Sequence, residues 1–216
     1  MLGKLAITFK KKGKIFVEWL LPGTLLPMPE QAADDAFGAL APIFAVSGGG
    51  LSLSQITEMT GLGTSAVQNW VKRGWVAAPV NKRYDAKRVA RILLINILRT
   101  VMKLEDIAAL MEYINGDVEN DQDDIIMEPQ LYNLLTRAVH EAEYHKAADY
   151  ESIAALINDL LSDYEEPVAG ALDRLTVALI TMMLGIAAAK LMQKVDELLD
   201  CEVYKNAPIT RNHRYH

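Results

Sequence analysis

The stretch TSAVQNWVKRGWVAAPVNKRYD, residues 64–85, gathers side chains able to read and hold a polyanion. At a helical period Ser65, Gln68, Asn69, Lys72 and Arg73 share one face, while Ala66, Val67, Trp70 and Val71 share the other. Gln and Asn present a donor and an acceptor in one plane, which matches an adenine edge, whereas Lys and Arg suit guanine or phosphate. The pattern predicts Ser65, Gln68 and Asn69 at base edges, with Lys72, Arg73, Lys82 and Arg83 at phosphates. A merely solvated helix face is polar too, so the surrounding elements must decide.

Other chemistries fare worse. In DVENDQDDIIME, residues 117–128, the acids Asp117, Glu119, Asp121, Asp123 and Glu128 follow the ligand spacing of a calcium loop. Gln122 stands where the sharp turn needs glycine, and Asp124 where a hydrophobic residue belongs, so the run reads as a solvated loop. His140 and His145 are five apart and off a common helical face; His213 and His216 lie in a polar tail. Cys201 has no second cysteine to pair with and fits a reducing cytoplasm. Met182, Met183 and Met192 read as adaptable packing. No catalytic arrangement and no cofactor motif emerges, so the expectation is a non-enzyme without cofactor or metal.

The elements that must position residues 64–85 are helical. Residues 1–50, rich in proline and glycine, read as a loosely ordered arm with one short element near Ile15–Leu21 and a linker at SGGG. In LSLSQITEMTG, Ser52 and Gln55 form a capping box and Gly61 suits a helix end, which predicts a helix over Leu53–Thr60. After GLG, Thr64 is placed to cap a second helix reaching Arg73. Two short helices on a tight glycine turn make a helix-turn-helix. Asp85 then caps a helix from Ala86 to about Thr100, with Arg88, Arg91 and Arg99 on its solvent face, and KLEDIAALMEYING supplies a fourth helix ending at Gly116.

Charge divides the chain. Residues 51–116 carry 9 basic and 5 acidic side chains, whereas residues 117–216 carry 8 and 19. A basic middle and an acidic end imply two surfaces with different partners. The acidic part predicts further helices from Pro129, from Asp149 and from Pro167 toward Leu199, then a polar tail over residues 201–216. Leu172, Leu175, Leu179, Met182, Ile186 and Ala189 step by three and four, which suits either a dimer seam or the buried helix of a bundle. The uncharged run Leu175–Ala189 falls short of the ~20 residues that cross a bilayer, so no membrane is expected.

Beyond these patterns, SLSQITEMTGLGTSAVQNWVKRGWV, KRYDAKRVARILLINILR and MKLEDIAALM together resemble the winged helix-turn-helix DNA-binding domain of the MerR family. The likeness covers Leu51–Gly116. Continued through YINGDVENDQDDIIMEPQLYNLL, the chain resembles the bacterial domain of unknown function family 1836, whose start is MerR-like. The MerR pattern has Arg-Tyr-Tyr where Gln68-Asn69-Trp70 stand, and a longer wing; Trp70 can keep the aromatic's packing, but Gln68 cannot keep the arginine's charge. The resemblance implies an all-α protein with a MerR-like module over 51–116 and a helical domain over 117–200. The expected protein is a cytoplasmic, sequence-specific regulator that binds double-stranded DNA as a homodimer through its C-terminal helices, with an unknown small-molecule effector. The other reading is a protein-binding module reusing the same helical face without DNA.

Overall fold

The computed structural model describes residues 6–11, 14–29, 34–120 and 122–200, and these are predominantly helical. Cys201, His213, His216 and the polar tail lie outside the described residues. The chain opens with an antiparallel hairpin of β1 (Ala6–Lys11) and β2 (Lys14–Trp19), in register from Ala6 opposite Trp19 to Lys11 opposite Lys14. The short element expected near Ile15–Leu21 is thus one strand of a pair.

The segment that follows is pinned down, contrary to the loose arm its proline and glycine content predicts. Leu20 and Leu21 are buried. The Tyr132 hydroxyl donates to the Pro22 carbonyl at 2.8 Å, and the Leu25 N–H donates to the Met59 carbonyl at 2.8 Å. Gly23 is glycine for a reason: at φ +75 a Cβ would sit 2.8 Å from the Leu93 carbonyl oxygen. Phe37 and Leu40 enter the core ahead of the short helix α1 (Ala41–Val46). The SGGG stretch is no free linker, because Ser47 is buried and accepts a 2.6 Å hydrogen bond from Gln55 Nε2.

Local caps account for the next elements. Strand β3 (Leu51–Ser52) leads into α2 (Leu53–Thr60), whose Ser52–Gln55 capping box is complete and whose C-cap Gly61 has φ 70. Helix α3 (Thr64–Lys72) starts after Gly63, which takes the N-cap position without a side-chain bond. Thr64 is therefore the first helical residue and not the cap. Strand β4 (Arg83–Tyr84) pairs antiparallel with β3, Leu51 opposite Tyr84. Asp85 caps α4 (Ala86–Leu98) by accepting the Arg88 N–H, and α5 (Leu104–Asn115) ends at Gly116.

The acidic half adds α6 (Glu128–His145), α7 (Tyr150–Leu160) and α8 (Ala171–Leu199). One hydrophobic core joins both halves, with Ile92, Leu93 and Leu94 of α4, Leu131 and Leu135 of α6 and Leu175 and Leu179 of α8 all fully buried. Helix α8 begins four residues after Pro167, where the Glu166 carboxylate accepts the Leu172 N–H at 3.2 Å. Arg174 then donates to the Tyr113 and Ile114 carbonyls at the end of α5, satisfying groups that helix has no partners for.

The stepped series on α8 is mostly interior: Leu175, Leu179, Met182 and Ile186 are buried within the chain itself. The bundle-core alternative accounts for that series. By length and composition α8 could also cross a membrane, yet its first sixteen residues supply seven side chains to the core. From Leu191 to Asp200 every residue is exposed.

Candidate nucleic-acid interface

Helix α3 sits with Val67 and Trp70 buried against the core, leaving Ser65, Gln68, Asn69, Lys72 and Arg73 exposed. The burial follows from the 3.6-residue period, which turns Val67, Trp70 and Val71 to one side. Ser65, Gln68, Asn69 and Lys72 have no side-chain partner among the described residues. They form a polar surface whose hydrogen-bonding groups all face solvent.

Arg73 is engaged. Its Nη1 lies 3.1 Å from Glu105 Oε1 at the start of α5, and its guanidinium stacks 4.9 Å above the Trp75 ring. The pair is half exposed on both sides, so it fixes a direction more than it stabilises. A phosphate arriving here would compete with Glu105 for a guanidinium already extended along the surface.

The small wing is a closed two-residue turn. Val80 and Arg83 exchange backbone hydrogen bonds of 3.0 and 2.9 Å, and Asn81 and Lys82 between them take φ 49 and φ 61. Two consecutive positive φ values are the type I′ geometry, whose twist suits a hairpin. Lys82 is held exposed at the tip. Arg83, also exposed, sends Nη1 back to the Gly50 carbonyl at 2.9 Å, clamping the turn to the strand before α2. Beneath it Tyr84 is buried, and burial pushes its hydroxyl above the usual range.

Arg88, expected on a solvent face, supports this turn instead. Its Nε donates to the Ala78 carbonyl at 2.8 Å and its Nη1 pairs with Asp85. The acidic loop reaches the same place: Glu119 accepts the Ala78 N–H at 3.3 Å and lies 3.9 Å from Arg88 Nη2. Sequence reasoning missed Glu105, Arg88 and Glu119, because each reaches a partner 10 or more residues away, and it passed over Trp75, which meets Arg73 from two residues on.

Arg91 departs furthest from expectation. It is buried, with Nη1 2.8 Å from Glu128 Oε1, and Lys87 beside it lies 2.7 Å from Asp124 Oδ2. The loop read as solvated therefore turns inward over its second half, where Ile125 and Ile126 are buried and Asn115 brackets the backbone of Ile126. Desolvation raises the Glu128 carboxyl above its ordinary range, while Arg91 and then Lys87 pull it back. Among the described residues no group of three or more His, Cys, Asp or Glu side chains could hold a metal ion.

These features define a mostly helical protein that presents a polar helix and a lysine-tipped turn on a basic segment. Residues 49–135 match the model of the family described as Domain of unknown function (DUF1836). A curated relative, the "Uncharacterized protein YkrK" of Bacillus subtilis (strain 168), is 27% identical over 100 residues, 44% of this chain. The match spans 42% of that relative. No solved structure matches the chain at a significant level. The matched segment extends past Gly116 into α6, so it contains both partners of the Arg91–Glu128 pair.

Proposed function

We propose that this protein is a sequence-specific DNA-binding transcription regulator, built on a MerR-like helix-turn-helix over residues 51–116 and acting as a homodimer. The observation that carries the reading is the outer face of α3, where Ser65, Gln68, Asn69 and Lys72 stand exposed and unpartnered on a helix anchored by Val67 and Trp70. Such a helix enters a major groove with Gln and Asn at base edges, while Lys72, Lys82 and a released Arg73 hold phosphates. Arg83 serves the fold through Gly50 on this reading.

A second copy would lie along α8, on a stripe different from the buried one. Val177, Thr181, Leu184, Ala188, Leu191, Val195 and Leu198 step by four and three for three heptads, and Val177, Leu191, Val195 and Leu198 are 45 to 58% exposed. From Leu184 on, leucine recurs at every second position of this seam, alternating with β-branched or small residues, a pattern of parallel pairs. An isolated projecting helix end is marginal in water, and a partner helix would stabilise it.

One observation favours the protein-binding reading: Arg73 and Arg83 already have partners within the chain. Selection from a randomised duplex library separates the two. A regulator enriches one sequence, with two half-sites about one helical turn or a multiple apart; a protein-binding module enriches none.

A further inference from the structure

A cavity of about 640 Å³ lies between α6, the end of α7 and the loop before α8, away from the face of α3. That volume falls within the range of small-molecule sites. Its floor is apolar, formed by Ile125, Ile126, Leu134 and Leu161. The Tyr164 hydroxyl closes one end by donating to the Ile125 carbonyl at 2.6 Å.

The mouth is charged, and its balance is negative. Asp163 and Glu165 stand exposed on the loop, and Arg137 opposite them lies 3.6 Å from Asp34. Three carboxylates thus face one guanidinium; Asp163, Glu165 and Arg137 belong to residues 117–216, which carry 19 acidic side chains against 8 basic. The field there repels anions and concentrates cations.

We propose that this cavity is an effector site for a small molecule carrying a positively charged amine on an apolar body. The apolar part would fill the space over Ile125 and Ile126, and the ammonium would meet Asp163 and Glu165. The regulatory half of the proposal rests on the DNA-binding reading above; the binding half does not.

The run from Asp124 to Glu128 gives the site a route to the rest of the molecule. Ile125 and Ile126 form the cavity floor, while Asp124 and Glu128 hold Lys87 and Arg91 of α4, and Ile126 is bonded to Asn115 of α5. A ligand that shifts the floor must act on the residues gripping α4, whose Arg88 supports the wing. Coupling of this kind requires the ligand to prefer one arrangement of the run over another.

Calorimetric titration of the full chain with phenethylamine and, separately, phenethyl alcohol tests the binding half. The amine should bind saturably and raise Tm, with the alcohol at least about tenfold weaker. The variant Asp163→Lys/Glu165→Lys changes only exposed side chains, so it should fold as the wild type does and lose the preference for the amine. Leu134→Trp should fill the space and abolish binding of both compounds. Absence of saturable heat with phenethylamine, or equal affinity for amine and alcohol, overturns the site. Duplex affinity measured with and without the amine tests the coupling: a several-fold change supports it, and no change overturns it while the site stands. If no duplex binds at all, the regulator reading falls, and the calorimetry still decides the cavity.

Discussion

Arg91 of α4 and Glu128 at the first residue of α6 meet at 2.8 Å with 5% and 0% of their side chains exposed. This pair ties the basic segment to the acidic one through charges that water hardly reaches. Breaking it by removing one partner leaves the other charge buried and alone. Glu128→Ala should therefore cost about 3–5 kcal/mol, and Arg91→Met combined with Glu128→Leu should recover most of that loss. Urea unfolding of the wild type and the two variants measures it.

The same carboxyl gives a pH dependence. Burial raises it above the ordinary value of 4.5, so the folded chain holds that proton more tightly than the unfolded chain. Its contribution is full below the ordinary value and is lost as pH rises through the raised one. Glu128→Gln, which cannot titrate, should close on the wild type in stability as pH rises from the ordinary value through the raised one. A gap that widens with pH would contradict the raised value.

Lys82 sits at φ 61, a conformation that glycine adopts without strain. Lys82→Gly should raise stability by about 1 kcal/mol while flattening the salt dependence of duplex binding by about 0.9 in slope. Thermal unfolding and an anisotropy series read the two effects from one variant, with opposite signs.

Glu105 competes with phosphate for Arg73. Because the pair is half exposed, Glu105→Gln should change stability by less than about 1 kcal/mol. Duplex affinity should rise several-fold at low salt, and Arg73→Ala should erase that gain.

The two stripes of α8 should respond differently. Leu191→Glu with Leu198→Glu touches exposed residues and should turn a dimer into a monomer in sedimentation, with the body of the fold intact. Leu179→Ala, on the buried stripe, should cost about 2–5 kcal/mol without a direct effect on association. Monomeric wild type would remove the proposed dimer.

Much of the helical layout was legible because its signals are local. The Ser52–Gln55 box, Gly61, Asp85 and Asp149 each act within four residues, and all four stand where expected. The polar face of α3 was legible from its period alone. What escaped depends on distance in sequence. Nothing near Pro22 announces that its carbonyl accepts from Tyr132, 110 residues away. Arg91 shares its residue type with Arg99, and only the return of Glu128 buries the one and leaves the other exposed. In α8 both stripes step by three and four; the sequence holds both, and packing against α5, α6 and α7 selects which one is covered.

The central claim is that the α3 face binds duplex DNA, and anisotropy titration of a selected duplex and a scrambled one at two salt concentrations tests it most directly. Wild-type affinity should fall steeply with salt. Lys72→Ala should weaken binding to both duplexes equally and flatten the slope by about 0.9. Asn69→Ala should cost about 1–3 kcal/mol on the selected duplex and little on the scrambled one. Failure of the wild type to bind any duplex at low salt would contradict the account, and so would equal losses for both variants on both sequences.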